Sequence, residues 1–201
     1  MIVSAHQVNY IPSKAFFDKM KQSHIFVLLD DVQYEKNGYT NRNRITPNEW
    51  LTIPVKHNHD TLIKDVEIDY TTDWKTKHVT ELFKVHGATN NPLYHFINRV
   101  YEHPWEKLIG INLAWIREIC SILSIKTNCI FSSQLNIETK GSQRILDICI
   151  KLGADQYLSG PSGKNYLDLE SFDKAGINIS WMPPQEPNSL SVLDNIMRGK
   201  I

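Results

Sequence analysis

Four polar side chains crowd one short stretch near the start of the chain, SAHQVNYIP (residues 4–12): His6, Gln7, Asn9 and Tyr10. An unperturbed imidazole titrates near pH ~6.5, so His6 is a candidate general base or acid. Amide and phenol neighbours can orient a polar substrate beside it. A second group lies in LLDDVQYEKNGYTNRNR, residues 28–44. There Asp30 and Asp31 are followed by Asn41, Arg42, Asn43 and Arg44 on a loop that contains Gly38. Arginine offers a planar fork to phosphate or carboxylate, and asparagine offers both a donor and an acceptor to hydroxyls or bases. In extended chain the alternation sends both arginines one way and both asparagines the other. A third group is YLSGPSGKNYLD, residues 157–168, where Ser159, Gly160 and Ser162 could present hydroxyls and backbone N–H groups to an anion. It is not a nucleotide-binding P-loop, because too few residues separate Gly160 from Gly163-Lys164 and Asn165 stands where Ser or Thr belongs. Each group also has a plain structural reading: a hydrogen-bonded turn, a solvated basic turn, and a strand-to-helix connection.

The elements that must position these residues follow from periodicity. MIVSA is a buried strand, and residues 13–23 form an amphipathic helix with Phe16, Phe17 and Met20 on one side and Lys14, Asp18, Lys19 and Lys21 on the other. HIFVLLDD is continuous in apolar residues, as in a strand buried on both faces. Together they make a βαβ unit, so His6 and the Asp pair should reach the same carboxyl edge of a parallel sheet, where open α/β sheets bind ligands. EWLTIPVK reads as a third strand, with LIKDVEID as an edge strand beside it. Residues 73–125 carry helical spacing broken at Gly87, Pro92 and Pro104, a helical insertion before the sheet resumes. NCIFSSQL, ADQYLSG and INISWMP are further strands, SQRILDICIKLG is a helix stopped by Gly153, and SLSVLDNIMRG is a closing helix after a Pro-rich crossing loop. The expected fold is a single α/β domain over residues 1–201, with a mostly parallel, Rossmann-like sheet flanked by helices and a helical insertion at about 73–125.

Composition removes several classes of function. Lys plus Arg and Asp plus Glu number 22 each, so no global basic field invites nucleic acid or an anionic membrane. No run approaches the ~18 apolar residues of a membrane span, and no leader pattern opens the chain, which points to a cytoplasmic protein. Cys120, Cys129 and Cys149 sit among Ile and Leu and read as reduced core thiols. His57 and His59 beside Asp60 lack a third ligand and read as a surface turn rather than a metal site. Lys140, Ser142 and Arg144 read as a helix cap with exposed cations. No serine has a nucleophile-elbow setting, so a positioned base with cationic and hydroxyl contacts is the chemistry these residues support best.

The order of these segments resembles the WbqC-like family, proteins encoded among bacterial surface-polysaccharide genes. The resemblance rests on HQVNYIP, VLLDDVQYEKNGYTNRNRI, WLTIPV and QRILDICIKLGADQYLSGPSGKNYLDLESF. It carries His6, Gln7, Asn9, Tyr10 and Pro12, then Leu29 to Tyr34 with Asp30, Gln33 and Tyr34 and with Asp31 at a variable position, then Asn41 to Arg44 and Tyr157 to Gly160. Val8 stands where the family usually has Pro, Ser13-Lys14-Ala15 replaces an apolar segment, and the loop before SLSVLD looks shortened. The resemblance implies a transferase that adds an acyl or aminoacyl group to a nucleotide-linked amino sugar. His6 would then be the base, Arg42 and Arg44 would hold a diphosphate or carboxylate, and Asp30 and Gln33 would orient sugar hydroxyls or the histidine. The partners are a nucleotide-linked sugar and an acyl donor such as a coenzyme A thioester or an activated amino acid, with a homo-oligomer left open. A nucleotidyl-transfer enzyme using a nucleoside triphosphate and a non-catalytic binding or assembly factor are the alternatives.

Overall fold

The computed structural model describes residues 1–86, 92–184, 189–197 and 199. Its elements run β1 (Ile2–Gln7), α1 (Lys14–Lys21), β2 (Ile25–Leu29), β3 (Arg42–Thr46), β4 (Glu49–Thr52), β5 (Val55–Lys56), β6 (Glu67–Ile68), α2 (Trp74–His86), α3 (Pro92–Glu102) and α4 (Leu108–Ile122). They continue with β7 (Asn128–Phe131), α5 (Gly141–Lys151), β8 (Gln156–Ser159), α6 (Leu169–Lys174), β9 (Asn178–Trp181) and α7 (Val192–Met197). Two compact units divide the chain. Met1–Gln7, Ala15–Asp31 and Ile125–Glu186 form the first, and Val8–Lys14, Val32–Ser124 and Pro187–Ile201 form the second.

The first unit is the expected α/β layer structure, a five-stranded parallel sheet flanked by helices in the Rossmann-like manner, ordered β7-β2-β1-β8-β9. β1 and β2 stay in register along their length, with His6 opposite Leu28 and Gln7 opposite Leu29. β1 and β8 pair only at Ile2–Gln156 and Val3–Tyr157, so the ladder opens toward the carboxyl end of β1. That is the place where strand order reverses, the switch point at which such sheets open a crevice. One face carries Val3, Ala5, Val27 and Tyr157 against Ile145, Leu146, Ile148 and Cys149 of α5 and Phe172 of α6. On α1 the buried Phe16 meets Phe17 and Phe26 edge-on, with ring centroids about 5 Å apart, a preferred aromatic geometry.

The second unit holds the expected helical insertion as α2, α3 and α4, with Trp115 fully buried among Phe96 and Tyr101. Two sequence expectations change here. EWLTIPVK is not a strand of the parallel sheet: it splits at Pro54 into β4, antiparallel to β3, and β5, antiparallel to β6. Proline has no N–H to give a ladder, so the run ends there and changes partner. The segment NRNR is not a loop but the body of β3, with Arg42 opposite Thr52, Asn43 opposite Leu51 and Arg44 opposite Trp50. LIKDVEID supplies a short 3-10 turn, Ile63–Asp65, before β6. The break expected at Gly87 and part of the Pro-rich loop fall outside the described residues.

Candidate functional site at the carboxyl edge of the parallel sheet

Because all five strands of the first unit run parallel, their carboxyl ends share one edge, and β1 brings His6 and Gln7 to it. His6 is half-buried and packs edge-on against Phe16, ring centroids 5.0 Å apart. Its Nδ1 lies 3.0 Å from the Gln7 carbonyl. A carbonyl only accepts, so Nδ1 carries the proton and Nε2 keeps its lone pair. Nε2 has no hydrogen-bond partner among the described residues. Burial pushes the imidazole pKa down to about 4 and the charge of Lys19 pushes it the same way, while the Gln7 bond opposes both. At neutral pH His6 is therefore uncharged, with one nitrogen able to take a proton.

Lys19 corrects the sequence reading, which set it on the solvent face of its helix. Its side chain is only 5% exposed, and Nζ donates to the Ala5 carbonyl at 2.7 Å, just past the last β1–β8 register pair. Desolvation lowers its pKa to about 8. The signal was present in the spacing: position 19 is three residues on from Phe16 and shares its face. Ser4 and Ser23, whose hydroxyls lie 2.6 Å apart, complete a buried polar seam between β1 and the end of α1, with Ser23 Oγ also donating to the Lys19 carbonyl.

Asp30 and Asp31 follow β2 at the same edge, but both oxygens of Asp30 and Oδ1 of Asp31 are already engaged. Asp30 accepts from the Ser133 N–H at 2.9 Å and from Ser133 Oγ at 2.7 Å, with Ser132 Oγ 3.2 Å away. Asp31 accepts from Arg144 Nη2 at 2.5 Å and from Ser132 Oγ. Arg144 is thus no exposed cation: it is 8% exposed, and Nη1 also donates to the carbonyls of Ile137 (2.6 Å) and Thr139 (3.2 Å). Nor do Lys140 and Ser142 cap α5 through their side chains; Ser142 Oγ instead accepts the Asp168 N–H at 2.8 Å. These groups tie β2 to the 3-10 turn Ser132–Leu135 and to α5. At the end of β8, Ser159 is buried with Oγ donating to the Gly160 carbonyl at 3.0 Å. A Cβ at Gly163 would overlap that hydroxyl, so the glycine is required by close approach. Gly160 is half-buried, and Ser162, in the 3-10 turn Pro161–Asn165, faces solvent.

The remaining candidates belong to the second unit. Tyr10 is fully buried, and its hydroxyl lies 3.0 Å from His78 Nδ1 and also contacts the Tyr101 hydroxyl. His78 Nε2 lies 3.1 Å from the Thr52 carbonyl, which fixes the chain of donors: Nε2–H to Thr52, Tyr10 O–H to Nδ1, Tyr101 O–H to Tyr10. Burial pushes His78 down to about 4 and raises the Tyr101 phenol well above its ordinary value. Asn43 Nδ2 donates to the carbonyls of Ile11 (2.7 Å) and Tyr10 (3.3 Å), holding Ile11 at φ +40°, a strained left-handed conformation for a β-branched residue. Asn41 Nδ2 donates to the Ile53 carbonyl at 2.9 Å. The two asparagines are therefore buried braces. Arg42 and Arg44 point the other way, as alternation requires, and stack on Trp50 with their guanidinium carbons 4.5 and 4.8 Å from its centroid. Arg42 Nη2 donates to the Asn37 carbonyl at 2.6 Å. Gln33 Nε2 donates to the His59 carbonyl at 2.6 Å, and the buried Tyr34 lies against the His57 ring with its phenol pKa raised by burial and partly lowered by Arg42. Asn9 is half-buried, and its Oδ1 has no partner among the described residues. The exposed His59 pairs with Asp60 at 2.9 Å, and among the described residues no group of three or more His, Cys, Asp or Glu is placed to hold a metal ion. No helix among the described residues is long and apolar enough to cross a membrane.

The structure thus brings His6, Gln7, Asp30, Asp31, Ser159, Gly160 and Ser162 to one edge within the first unit, and gathers Asn9, Tyr10, Gln33, Tyr34 and Asn41–Arg44 within the second. Comparison with known proteins gives a family model, described as the WbqC-like protein family, that matches residues 7–198. The chain is 31% identical over 187 residues to the Mycobacterium tuberculosis (strain ATCC 25618 / H37Rv) protein titled "Uncharacterized protein Rv1507c", covering 89% of this chain and 80% of that protein. No solved structure matches.

Proposed function

For a chain that belongs to the WbqC-like protein family, we propose a role in bacterial surface-polysaccharide biosynthesis as a cytoplasmic transferase acting on a nucleotide-linked amino sugar. The sugar amine attacks the carbonyl carbon of an activated acyl or aminoacyl group, a coenzyme A thioester or an activated amino acid. The new C–N bond forms as the bond to the donor's leaving group breaks. His6 Nε2 takes the proton that the amine nitrogen must lose and returns it to the leaving group. The observation that carries this reading is the neutral, half-buried His6 with an unclaimed Nε2 at the end of the central strand, beside the strand-order switch. Gln7 and Ser162 are suited to polar contacts at that edge, and Asp30 and Asp31 to positioning, since their oxygens already brace the neighbouring turn. In the second unit the stacked Arg42 and Arg44 have the chemistry for a diphosphate or carboxylate.

The test is turnover of a uridine- or thymidine-diphosphate amino sugar with a panel of acyl-coenzyme A and aminoacyl donors, read as product mass. The wild type should form an amide. His6→Ala should bind the nucleotide sugar as the wild type does and lose turnover; a full rate in that variant sinks the base assignment. Nucleotide-sugar binding with no turnover from any donor points instead to a binding factor.

A further inference from the structure

Lys19 is a charged group that the fold leaves without a counter-charge. It is 5% exposed, and no carboxylate of the described residues lies within 4.0 Å of its Nζ. Long cationic side chains are almost never buried so completely unless paired. An ammonium has three N–H donors, and Nζ uses one of them, on the Ala5 carbonyl at 2.7 Å. The carbonyl it caps lies where the β1–β8 ladder has opened, next in sequence to His6, and the ammonium is near enough for its charge to act on the imidazole. Salt-bridge residues elsewhere in the first unit are differently made. Arg144, equally buried, has Asp31 at 2.5 Å, and Lys174, on the surface, has Glu170 at 2.6 Å. A cation kept inside without a carboxylate partner, where the β1–β8 ladder has opened, has the form of a binding residue waiting for an anion.

We propose that Lys19 is an anion-binding residue of the strand-edge site, its free N–H donors taking a phosphoryl or carboxylate oxygen of the bound substrate beside His6. This rests on the carboxyl edge of β1 being the substrate site but needs no particular reaction there. The bound oxygen completes the donor set of the ammonium and neutralises it. In the acyl-transfer reading it anchors an anionic group of donor or acceptor next to the base. Solvation makes the role specific to lysine: Met has similar bulk but no donors, so Lys19→Met removes a buried charge while taking the donor from the Ala5 carbonyl, and should still fold with a cooperative thermal transition.

The test uses the full chain, with thermal midpoints measured at constant ionic strength in sodium chloride and then with inorganic pyrophosphate or acetate substituted for part of it. Pyrophosphate should raise the midpoint of the wild type and of His6→Ala by several degrees, and leave Lys19→Met unmoved. A response to acetate alone identifies the anion as a carboxylate. In parallel, pyridoxal 5′-phosphate with borohydride should label Lys19 in the wild type, and the stabilising anion should protect it. Equal stabilisation of Lys19→Met, or no stabilisation of the wild type by either anion, overturns the proposal. Because the readout is binding, it is separate from the fate of the transferase reading: anion binding at Lys19 with no turnover contradicts only the latter, and turnover unchanged in Lys19→Met contradicts only the former.

Discussion

Two histidines, one in each compact unit, have the same depressed pKa of about 4 and differ in what their nitrogens touch. His78 is closed: Nε2 donates to the Thr52 carbonyl and Nδ1 accepts from Tyr10, whose hydroxyl in turn accepts from Tyr101. His6 is half open: Nδ1 is tied to Gln7, while Nε2 has no partner among the described residues. Desolvation lowers both, so the shift by itself does not separate a working base from a core brace. The unclaimed nitrogen does. A saturated buried network makes one geometry rigid, whereas an unsaturated group at a strand end keeps a direction for a ligand.

The comparison breaks most visibly in the two alanine variants. His6→Ala should lower turnover by about two to four orders of magnitude, the usual scale for a lost general base, with a thermal midpoint near that of the wild type. His78→Ala should do the reverse. It leaves the Tyr10 hydroxyl without its acceptor and opens a cavity in the core, a loss of about 2–4 kcal/mol in chemical denaturation, with turnover per folded molecule preserved.

Acid should weaken both units. Each histidine is protonated in the unfolded chain near pH 6.5 but resists protonation when folded until about pH 4. The unfolded state thus binds more protons across that window, and stability present above pH 6.5 is lost as pH falls toward 4. The loss approaches about 3 kcal/mol for each histidine, and His78→Leu should flatten its share of the denaturation profile. Gly163→Ala should cost about 1–3 kcal/mol through overlap with the Ser159 hydroxyl, much of it recovered in the double variant with Ser159→Ala. Arg42→Ala should be the mildest for stability, about 1 kcal/mol or less from the lost contact with Trp50, with its larger effect on binding of the nucleotide sugar.

The parallel sheet was legible because strands buried on two faces are rich in apolar residues: IFVLL is apolar throughout, and IVSA and QYLS set Ser4, Gln156 and Ser159 among apolar neighbours. The amphipathic helix α5 announced itself in the same way. β3 was not legible, since RNRIT is as polar as a loop and owes its burial to Asn41 and Asn43 bonding distant carbonyls, which local composition does not record. At the site, the types and order of His6, Asp30 and Asp31 placed them at one edge correctly. Occupancy of their hydrogen-bonding capacity was invisible, because Ser132, Ser133 and Arg144 lie some hundred residues further along the chain. Lys19 was missed for a related reason: a lysine on the flank of an apolar stripe usually reaches past it to water, and here it turns inward to a carbonyl freed by the opening ladder.

The most direct test of the contrast is a nitrogen-resolved NMR titration of the two imidazoles in the wild-type protein. Both should titrate near pH 4, with His6 carrying its neutral-state proton on Nδ1 and His78 on Nε2. His6 titrating near 6.5, or carrying its proton on Nε2, would contradict the account of an open base at the end of β1.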